Sequence, residues 1–417
     1  MSILIKDVLL DGQETDIYVE GNIIAEIGRR QEADQVIDGR EKACIPGLIN
    51  GHTHAAMTLF RSYADDMNLQ EWLETKIWPL EAKLRAEDVY WGTKLACLEM
   101  IRSGTTTFND MYFFMEEAAR AVLDMGMRAV LSYGIIDLFD DERAAEELKA
   151  AEQFIGFVEG LKTERVTAAL GPHAIYTVSR GTLEAIRDVA ADQELKVHFH
   201  LAETEREVEQ SKEMYGKSPV RALDEMGFLG EWLVAAHSVW LDGGDARLMG
   251  ERGVSTVHNP ASNMKLSVGK AFPYEELRAA GVTTAMGTDG AASNNNLDMF
   301  EAMKLACLLQ KFYTRQPTVL RAEDAVRMAT EEGAAALDIN TGRIEEGKLA
   351  DIVLVDMLRP EMVPLFNLSN NLAYAASGSV VDTVICDGRV LMRERQVQGE
   401  EEILRKAQEV ARDVVSR

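Results

Sequence analysis

The feature that most constrains the fold is a regular alternation between short runs of β-branched residues and amphipathic segments. Apolar residues three and four apart mark the amphipathic segments as helices, for example at Glu116–Met125 and Arg143–Val158. The short runs predict eight strands, at Leu48–Gly51, Thr105–Asn109, Arg128–Tyr133, Val166–Leu170, Lys196–Leu201, Leu233–Ala236, Val254–Val257 and Thr283–Met286. Eight strand–helix units predict an α/β fold, a (β/α)8 TIM-type barrel, which needs about 250 residues.

The two ends of the chain have a different texture. From Ile3 to Ile45, apolar and polar residues alternate between turn signals such as Asp38-Gly39, which predicts short strands joined by hairpins. Strand-like runs return at Ile352–Val355 and Val380–Ile385. We therefore expect both termini to pair in one small β-sandwich domain beside the barrel. The predicted boundaries are 1–47 and 345–417 for the β-sandwich and 48–344 for the barrel.

Charge and composition argue against several kinds of partner. The 417 residues include 44 Lys and Arg against 69 Asp and Glu, a net charge of −25, and no basic run occurs. Because binding to phosphates needs clustered positive charge, no nucleic-acid partner is expected. No apolar run approaches the ~20 residues of a membrane span, so no membrane partner is expected. The four cysteines form no C-x-x-C pair, which favours the reducing cytoplasm.

Histidine is the most informative residue type, because the chain has only seven and most follow predicted strands. His52 and His54 close the first strand, and their spacing of two places both side chains on one side. At the ends of later strands stand His198 and His200 (fifth), His237 (sixth), His258 (seventh) and Asp289 (eighth). Barrel enzymes carry their chemistry at this end of the strands. The set therefore predicts a site for a borderline divalent cation.

One metal ion per subunit is predicted. Barrel hydrolases with two metals commonly bridge them with a carboxylated lysine at the end of the fourth strand, where this chain has Leu170-Gly171-Pro172-His173. Zinc is the first expectation, with iron and manganese as alternatives. The motifs H-E-x-x-H, G-x-G-x-x-G and G-x-S-x-G, which indicate other chemistries, do not occur in the sequence.

Several segments spread over nearly the whole chain resemble a known superfamily. They are Pro46–His54, Ala64–Asp66, Glu71–Leu73, Trp78–Glu81, Gly171–His173, His200–Thr204, His258–Asn263 and Gly287–Gly290. Together they resemble the amidohydrolase superfamily. Within it, the chain is similar to the deaminases of 5′-methylthioadenosine and S-adenosylhomocysteine, including the 5′-deoxyadenosine deaminases of methanogens.

The resemblance implies a metal-dependent hydrolase that deaminates C6 of the adenine in 5′-modified adenosines. The products would be the inosine analogue and ammonia, the nucleophile a metal-activated hydroxide, and the substrates 5′-deoxyadenosine, 5′-methylthioadenosine, S-adenosylhomocysteine and adenosine. The implied metal ligands are His52, His54, His200 and Asp289. Glu203 is implied as the proton carrier, His237 as a group beside the metal-bound water, and Asp289 also as a catalytic acceptor of the water proton.

The resemblance also implies contacts with the substrate. Glu81 would hold the ribose hydroxyls and His173 would contact the purine edge, while Trp72 would line the pocket. Glu203 and Asp289 complete the implied substrate-binding set.

The chain departs from the family pattern at one position. Members that accept S-adenosylhomocysteine hold its carboxylate with arginines, and at the end of the third strand, where one is expected, this chain has Tyr133. Arg143 is the candidate for a second such contact. Loss of a bidentate carboxylate partner favours smaller 5′ groups. His198 is expected to be a neighbour of the metal ligands, and His258 is expected to be a scaffold residue.

Two other functions are open at the level of sequence. A deaminase of a free base such as guanine, or of an s-triazine, would have a similar Pro46–His54 segment, but it would have no use for Glu81. A non-catalytic assembly protein on the same fold is the second alternative, and the retained ligands with Glu203 argue against it. The family resemblance also implies a homo-oligomer, with a tetramer as one candidate.

Overall fold

The computed structural model describes residues 2–28 and 32–417. Within them the strands are β1 (Ser2–Leu10), β2 (Gln13–Glu20), β3 (Ile23–Ile27), β4 (Gln35–Asp38), β5 (Lys42–Pro46), β6 (Leu48–Thr53), β7 (Thr105–Tyr112), β8 (Arg128–Ile135), β9 (Val166–Pro172), β10 (Lys196–Leu201), β11 (Leu233–His237), β12 (Ser255–His258), β13 (Thr283–Met286), β14 (Ile352–Asp356), β15 (Val381–Cys386), β16 (Arg389–Arg393) and β17 (Gln396–Val397).

The α-helices follow a similar regular order. They are α1 (Leu69–Trp72), α2 (Trp78–Glu81), α3 (Ala86–Arg102), α4 (Met115–Met125), α5 (Asp141–Gly160), α6 (Arg180–Gln193), α7 (Glu205–Tyr215), α8 (Pro219–Glu225), α9 (Gly243–Glu251), α10 (Pro260–Lys265), α11 (Tyr274–Ala279), α12 (Met299–Thr314), α13 (Ala322–Met328), α14 (Glu331–Leu337), α15 (Leu368–Tyr374) and α16 (Glu400–Ser416). Short 3-10 helices lie at Ala55–Phe60, Pro360–Met362 and Gly378–Val380, and a π-helical turn lies at Leu73–Ile77. In the described ranges, none of the helices has the length and apolar character that crossing a bilayer requires.

Strands β6 to β13 form the barrel, each one parallel to the next in chain order. All eight predicted strands are present. The first and last strands meet where the Asp289 amide donates a hydrogen bond of 2.9 Å to the His52 carbonyl. A Cβ at Gly287 would lie 3.0 Å from the His52 amide nitrogen and 2.5 Å from Asn259 Oδ1, so this approach requires glycine. The predicted α/β barrel is confirmed.

Apolar side chains fill the barrel interior. The residues are Ile49, Val130, Ala169, Val234, Val257 and Ala285 from the strands, with Ala334, Ala336 and Leu337 of α14 packed against them. This packing leaves the opposite, C-terminal ends of the strands to the polar residues.

The helices around the barrel begin and end where the sequence supplies caps. The side chains of Ser179 and Thr204 accept hydrogen bonds from amides in the first turns of α6 and α7. Helix α7 then stops at Gly216, whose φ of 72° lies in the left-handed region. These local signals fix where the chain returns to the barrel after each strand.

The strands of the two termini form one nine-stranded mixed sheet, in which β4 is a side branch on β1. Antiparallel pairing of β5 with β14 joins the two ends of the chain, as predicted. The hairpin predicted at Asp38-Gly39 is wrong, because β4 and β5 each pair in parallel with β1 and not with each other. The Gly39 amide donates to the Lys6 carbonyl at 2.7 Å, so the turn carries the chain along one edge of β1.

A buried ionic contact ties this sheet to the barrel. Arg128, at the start of β8, has a side chain only 4% exposed, and its Nε lies 3.3 Å from Asp351 Oδ2. Its Nη2 donates to Asp387 Oδ1 at 2.9 Å. The Asp387 amide in turn donates to Asp351 Oδ1 at 2.7 Å. Three charges are therefore removed from water together, and each depends on the others for a partner.

Replacing Arg128 with methionine is expected to lower the free energy of unfolding by about 3 to 5 kcal/mol, because Asp351 would be left buried without its cation. Urea unfolding measures this change. Arg180→Met is the matched control, since Arg180 is an exposed residue whose partner Glu184 is also exposed. Equal effects of the two substitutions would contradict the prediction.

Candidate active site

The residues predicted to bind a cation meet at the C-terminal end of the barrel. His52 and His54 lie at the end of β6, His200 is the second-to-last residue of β10, and Asp289 follows β13. The Nε2 atoms of His54 and His200 are 3.3 Å apart. The Nε2 atoms of His52 and His54 each lie 3.4 Å from Asp289 Oδ1.

These separations suit a metal ion. Ligand atoms on a tetrahedral ion with bonds of about 2.0–2.1 Å lie about 3.3–3.4 Å from one another. His52 Nε2 is buried and has no hydrogen-bond partner among the described residues. The groups that could hold a cation, His52–His54–His200 and His52–His237–Asp289, share His52. Three imidazoles and a carboxylate are a suitable donor set for a borderline divalent cation.

The protonation states of the ligands also fit a cation. Burial lowers the pKa of His52 to about 4 and holds the pKa of His200 well below its ordinary value, so both imidazoles are neutral at pH 7. Burial alone would raise the pKa of Asp289, but its contact with His52 keeps that pKa well below the usual range. Asp289 also accepts hydrogen bonds from Ser262 Oγ at 2.6 Å and from the Gly290 amide at 2.7 Å. The carboxylate is therefore anionic.

Backbone carbonyls orient two of the ligand imidazoles. His54 Nδ1 lies 2.7 Å from the Met111 carbonyl, and His200 Nδ1 lies 2.9 Å from the His173 carbonyl. Because a carbonyl only accepts, each Nδ1 carries the proton and each Nε2 keeps its lone pair for a metal.

Two other histidines lie close by and belong to none of the cation-holding groups found in the described chain. His198 Nε2 is 2.7 Å from His52 Nδ1, so this side chain orients His52 as the carbonyls orient the other two. The His258 ring stacks on Phe272 with centroids 4.5 Å apart and planes 11° apart.

Glu203 and His237 lie side by side next to the ligand cluster, with 3.7 Å between Glu203 Oε1 and His237 Nδ1. Burial raises the pKa of Glu203. Burial alone would lower the pKa of His237, but the charges of Glu203 and Asp289 outweigh it and that pKa is raised. His237 Nδ1 donates to Asn263 Oδ1 at 2.8 Å. A carboxyl group with a raised pKa is suited to proton transfer near neutral pH.

A cavity opens beside these groups. Its wall includes Glu81, Trp72 and His173, the three residues expected to contact substrate, as well as Glu203 and Asp289. Aromatic and aliphatic side chains make up much of the remaining wall, which is typical of a small-molecule site.

Glu81 and His173, which lie in the cavity wall outside the cluster, have shifted pKa values. Burial raises the pKa of Glu81 to about 7, against the opposing effect of the Tyr112 hydroxyl. Burial lowers the pKa of His173 to about 3, and its Nδ1 lies 2.9 Å from Thr177 Oγ1. His173 is therefore neutral at pH 7.

Tyr133, which stands where the family pattern has an arginine, does not line the cavity. Side chains alternate along β8, so Tyr133 faces Glu147 of α5, while Gly134 and Ile136 line the cavity. Arg143 is 45% exposed and lies 3.7 Å from Glu147. Neither residue is among those that line the cavity.

Sequence reasoning gave no role to the side chains that hold the candidate catalytic groups. Ser262 and Asn263 bond to Asp289 and His237. Glu207, which belongs to no recognised motif, accepts hydrogen bonds from the backbone amides of Ala202 and Glu203. The only feature of the sequence that could have pointed to Glu207 is its position, four residues after Glu203 in the first turn of a helix.

Comparison with known proteins places this geometry in context. The Amidohydrolase family model matches residues 43–391. The chain is 52% identical to a 5′-deoxyadenosine deaminase of Methanoregula boonei, over 100% of this chain and 96% of that protein. It is 53% identical to 5-methylthioadenosine/S-adenosylhomocysteine deaminase 1 of Archaeoglobus fulgidus, over 96% and 95% of the two chains.

A solved structure agrees with the sequence comparison. An adenosine deaminase from Xanthomonas campestris with bound zinc superposes with a TM-score of 0.93, at 34% identity over 100% of this chain and 98% of that one. Since the family model and these relatives cover most or all of the chain, the chain belongs to the amidohydrolase family.

Proposed function

We propose that this protein hydrolytically deaminates the adenine of 5′-modified adenosines, such as 5′-deoxyadenosine and 5′-methylthioadenosine, to the inosine analogue and ammonia. The observation that carries the proposal is the meeting of a cation-holding cluster and Glu203 at the wall of one largely apolar cavity that also contains Glu81 and His173. It occurs in a chain that is 52% identical over its full length to a 5′-deoxyadenosine deaminase.

One divalent cation per subunit would be held by His52, His54, His200 and Asp289. Zinc is the first choice, since it is bound in the Xanthomonas adenosine deaminase. The shared use of His52 by both candidate groups supports a single site. A bound cation of this kind lowers the pKa of water from 15.7 to about 7, which makes a hydroxide nucleophile available at neutral pH.

The remaining chemistry consists of proton transfers by side chains of this protein. Glu203, with its raised pKa, would deliver a proton to N1 of the adenine, which lowers the resistance of the ring to addition at C6. His237 would orient the incoming oxygen, since it lies between Glu203 and Asp289 in the cluster. Asp289 would accept the proton of the attacking water and pass it to the departing amine. The second proton of the water would return to Glu203, so that one water is consumed, one ammonia is released and both side chains recover their starting state.

The substrate contacts are assigned from the wall of the cavity. Glu81 would accept hydrogen bonds from the ribose hydroxyls, His173 would meet the purine edge, and Trp72 would cover the bound nucleoside. A free base such as guanine, or an s-triazine, has no ribose hydroxyls to offer Glu81. The buried carboxyl group therefore favours a nucleoside over these alternatives.

We also propose that the protein is a homo-oligomer, with a tetramer as the first candidate. Leu308, Phe312 and Tyr313 of α12 are exposed and line one surface depression, and such a group of apolar side chains favours an interface between copies. Light scattering on the purified protein gives the subunit number. The cytoplasm is the proposed compartment, in agreement with four cysteines that are all buried and unpaired.

An ammonia-release assay tests the substrate class. The substrates compared are 5′-deoxyadenosine, 5′-methylthioadenosine, S-adenosylhomocysteine, adenosine and adenine. The best nucleoside is expected to exceed adenine about 100-fold in kcat/KM, because two hydrogen bonds to a charged group are worth about 3 kcal/mol. A preference for adenine or another free base would contradict the proposal.

Glu203→Gln is expected to lower kcat by about 10²- to 10⁴-fold, because glutamine cannot deliver the proton. Metal content, measured by elemental analysis, should stay at one equivalent per chain. The control is Glu213→Gln, which removes an exposed carboxylate from the same region and should leave kcat unchanged. Normal turnover in Glu203→Gln would refute the role of Glu203, and two metal equivalents would refute the single site.

The pKa of Glu81 near 7 predicts a pH-dependent KM. Glu81 is anionic above this pKa and neutral below it, so acceptance of the ribose hydrogen bonds weakens as the pH falls. KM for the nucleoside should therefore rise between pH 8 and pH 5.5. In Glu81→Gln, KM should be higher at pH 8 and nearly independent of pH. The same pH dependence in both proteins would show that another group is responsible.

A further inference from the structure

Glu207 is a buried carboxylate that does not line the cavity. Its exposed fraction is 1%, although it lies in the first turn of α7, where an acidic residue is usually exposed. Burial raises its pKa, and hydrogen bonds from the backbone amides of Glu203 and Ala202 oppose this rise. Placing a carboxylate here is therefore costly, and the hydrogen bonds that it makes must account for it.

The carboxylate of Glu207 bonds to the backbone immediately before its own helix. Oε1 accepts a hydrogen bond of 2.7 Å from the Ala202 amide, and Oε2 accepts one of 2.8 Å from the Glu203 amide. The helix start itself is capped by Thr204, whose Oγ1 accepts from the Glu207 amide at 3.2 Å. Since α7 already has its cap, the two bonds from Glu207 serve the turn and not the helix.

That turn is strained, and it aims Glu203. Ala202 has a φ of +49°, a left-handed conformation that a residue with a side chain adopts only when its surroundings impose it. The Ala202 carbonyl accepts from the amides of Val239 and Trp240, which follow the end of β11. Glu207 therefore holds the amide side of the turn while the neighbouring loop holds the carbonyl side.

We propose that Glu207 is the positioning residue of Glu203. It fixes the turn between β10 and α7 so that the Glu203 carboxyl group faces N1 of the bound adenine. This inference rests on the proposed function, in which Glu203 carries the proton. Glu207 itself touches no substrate and acts only through Glu203.

The test is Glu207→Gln in the metal-loaded protein. The glutamine amide group would face one of the two backbone amides, so one hydrogen bond would be replaced by two opposed donors. We expect kcat for the best nucleoside to fall about 10- to 100-fold, while KM changes less than about threefold and the metal content stays the same.

The decisive measurement is the same substitution in the Glu203→Gln background. If Glu207 acts only through Glu203, it should lower the residual kcat there by less than about twofold. An equal loss in both backgrounds would show a general structural role and overturn the proposal. Full activity of the single variant, or loss of its metal, would overturn it as well.

Two further variants complete the experiment. Glu209→Gln removes an exposed carboxylate from the same helix and should leave kcat within about twofold of the parent. Glu207→Asp keeps the carboxyl group on a side chain one methylene shorter, so it should retain one bond and give an intermediate kcat. If Glu207→Gln does not fold, the coupling of Glu207→Asp with Glu203→Gln decides, and additive losses would refute the proposal.

The outcome separates this inference from the proposed function. Normal turnover in Glu203→Gln alone would refute the role of Glu203, and the positioning role would fail with it. A strong defect in Glu203→Gln, with an additive effect of Glu207→Gln, would refute only the positioning role.

Discussion

The hydrogen bond from the Asp289 amide to the His52 carbonyl joins the last barrel strand to the first. It sets the distance between His52 and Asp289, two candidate metal ligands that lie 237 positions apart in the chain. The 3.4 Å between His52 Nε2 and Asp289 Oδ1 therefore depends on closure of the barrel. Gly287 permits that closure, because a side chain there would strike the backbone of His52.

One end of the barrel contributes to stability, and the other end carries the candidate active site. Apolar residues and helix α14 fill one end, and the buried contact of Arg128 with Asp351 and Asp387 attaches the sheet of the termini there. The other end gathers buried polar groups, which are costly unless each has a partner. Backbone carbonyls of Met111 and His173 supply partners for two ligands. The scaffold therefore orients the imidazoles directly, with little freedom for them to turn away.

Burial accounts for several of the pKa shifts of the site. It raises the pKa values of Glu81 and Glu203 and lowers the pKa values of His52 and His173. The same loss of water therefore favours the protonated form of these carboxyl groups and the neutral form of these imidazoles. At Asp289 and His237, neighbouring charges and contacts outweigh burial.

Sequence patterns predict the eight barrel strands, the pairing of the two termini and the residues that gather at the strand ends. The strands follow from local patterns, since apolar spacing reports which face of a strand or helix is buried. Three features became evident only from the fold: Tyr133 faces away from the cavity, Asp38-Gly39 is not a hairpin, and Glu207 accepts a hydrogen bond from the turn at Ala202. Those outcomes depend on which elements become neighbours in space. A sequence pattern shows whether a side chain is polar or apolar, but it does not show which residue becomes its neighbour in the folded protein.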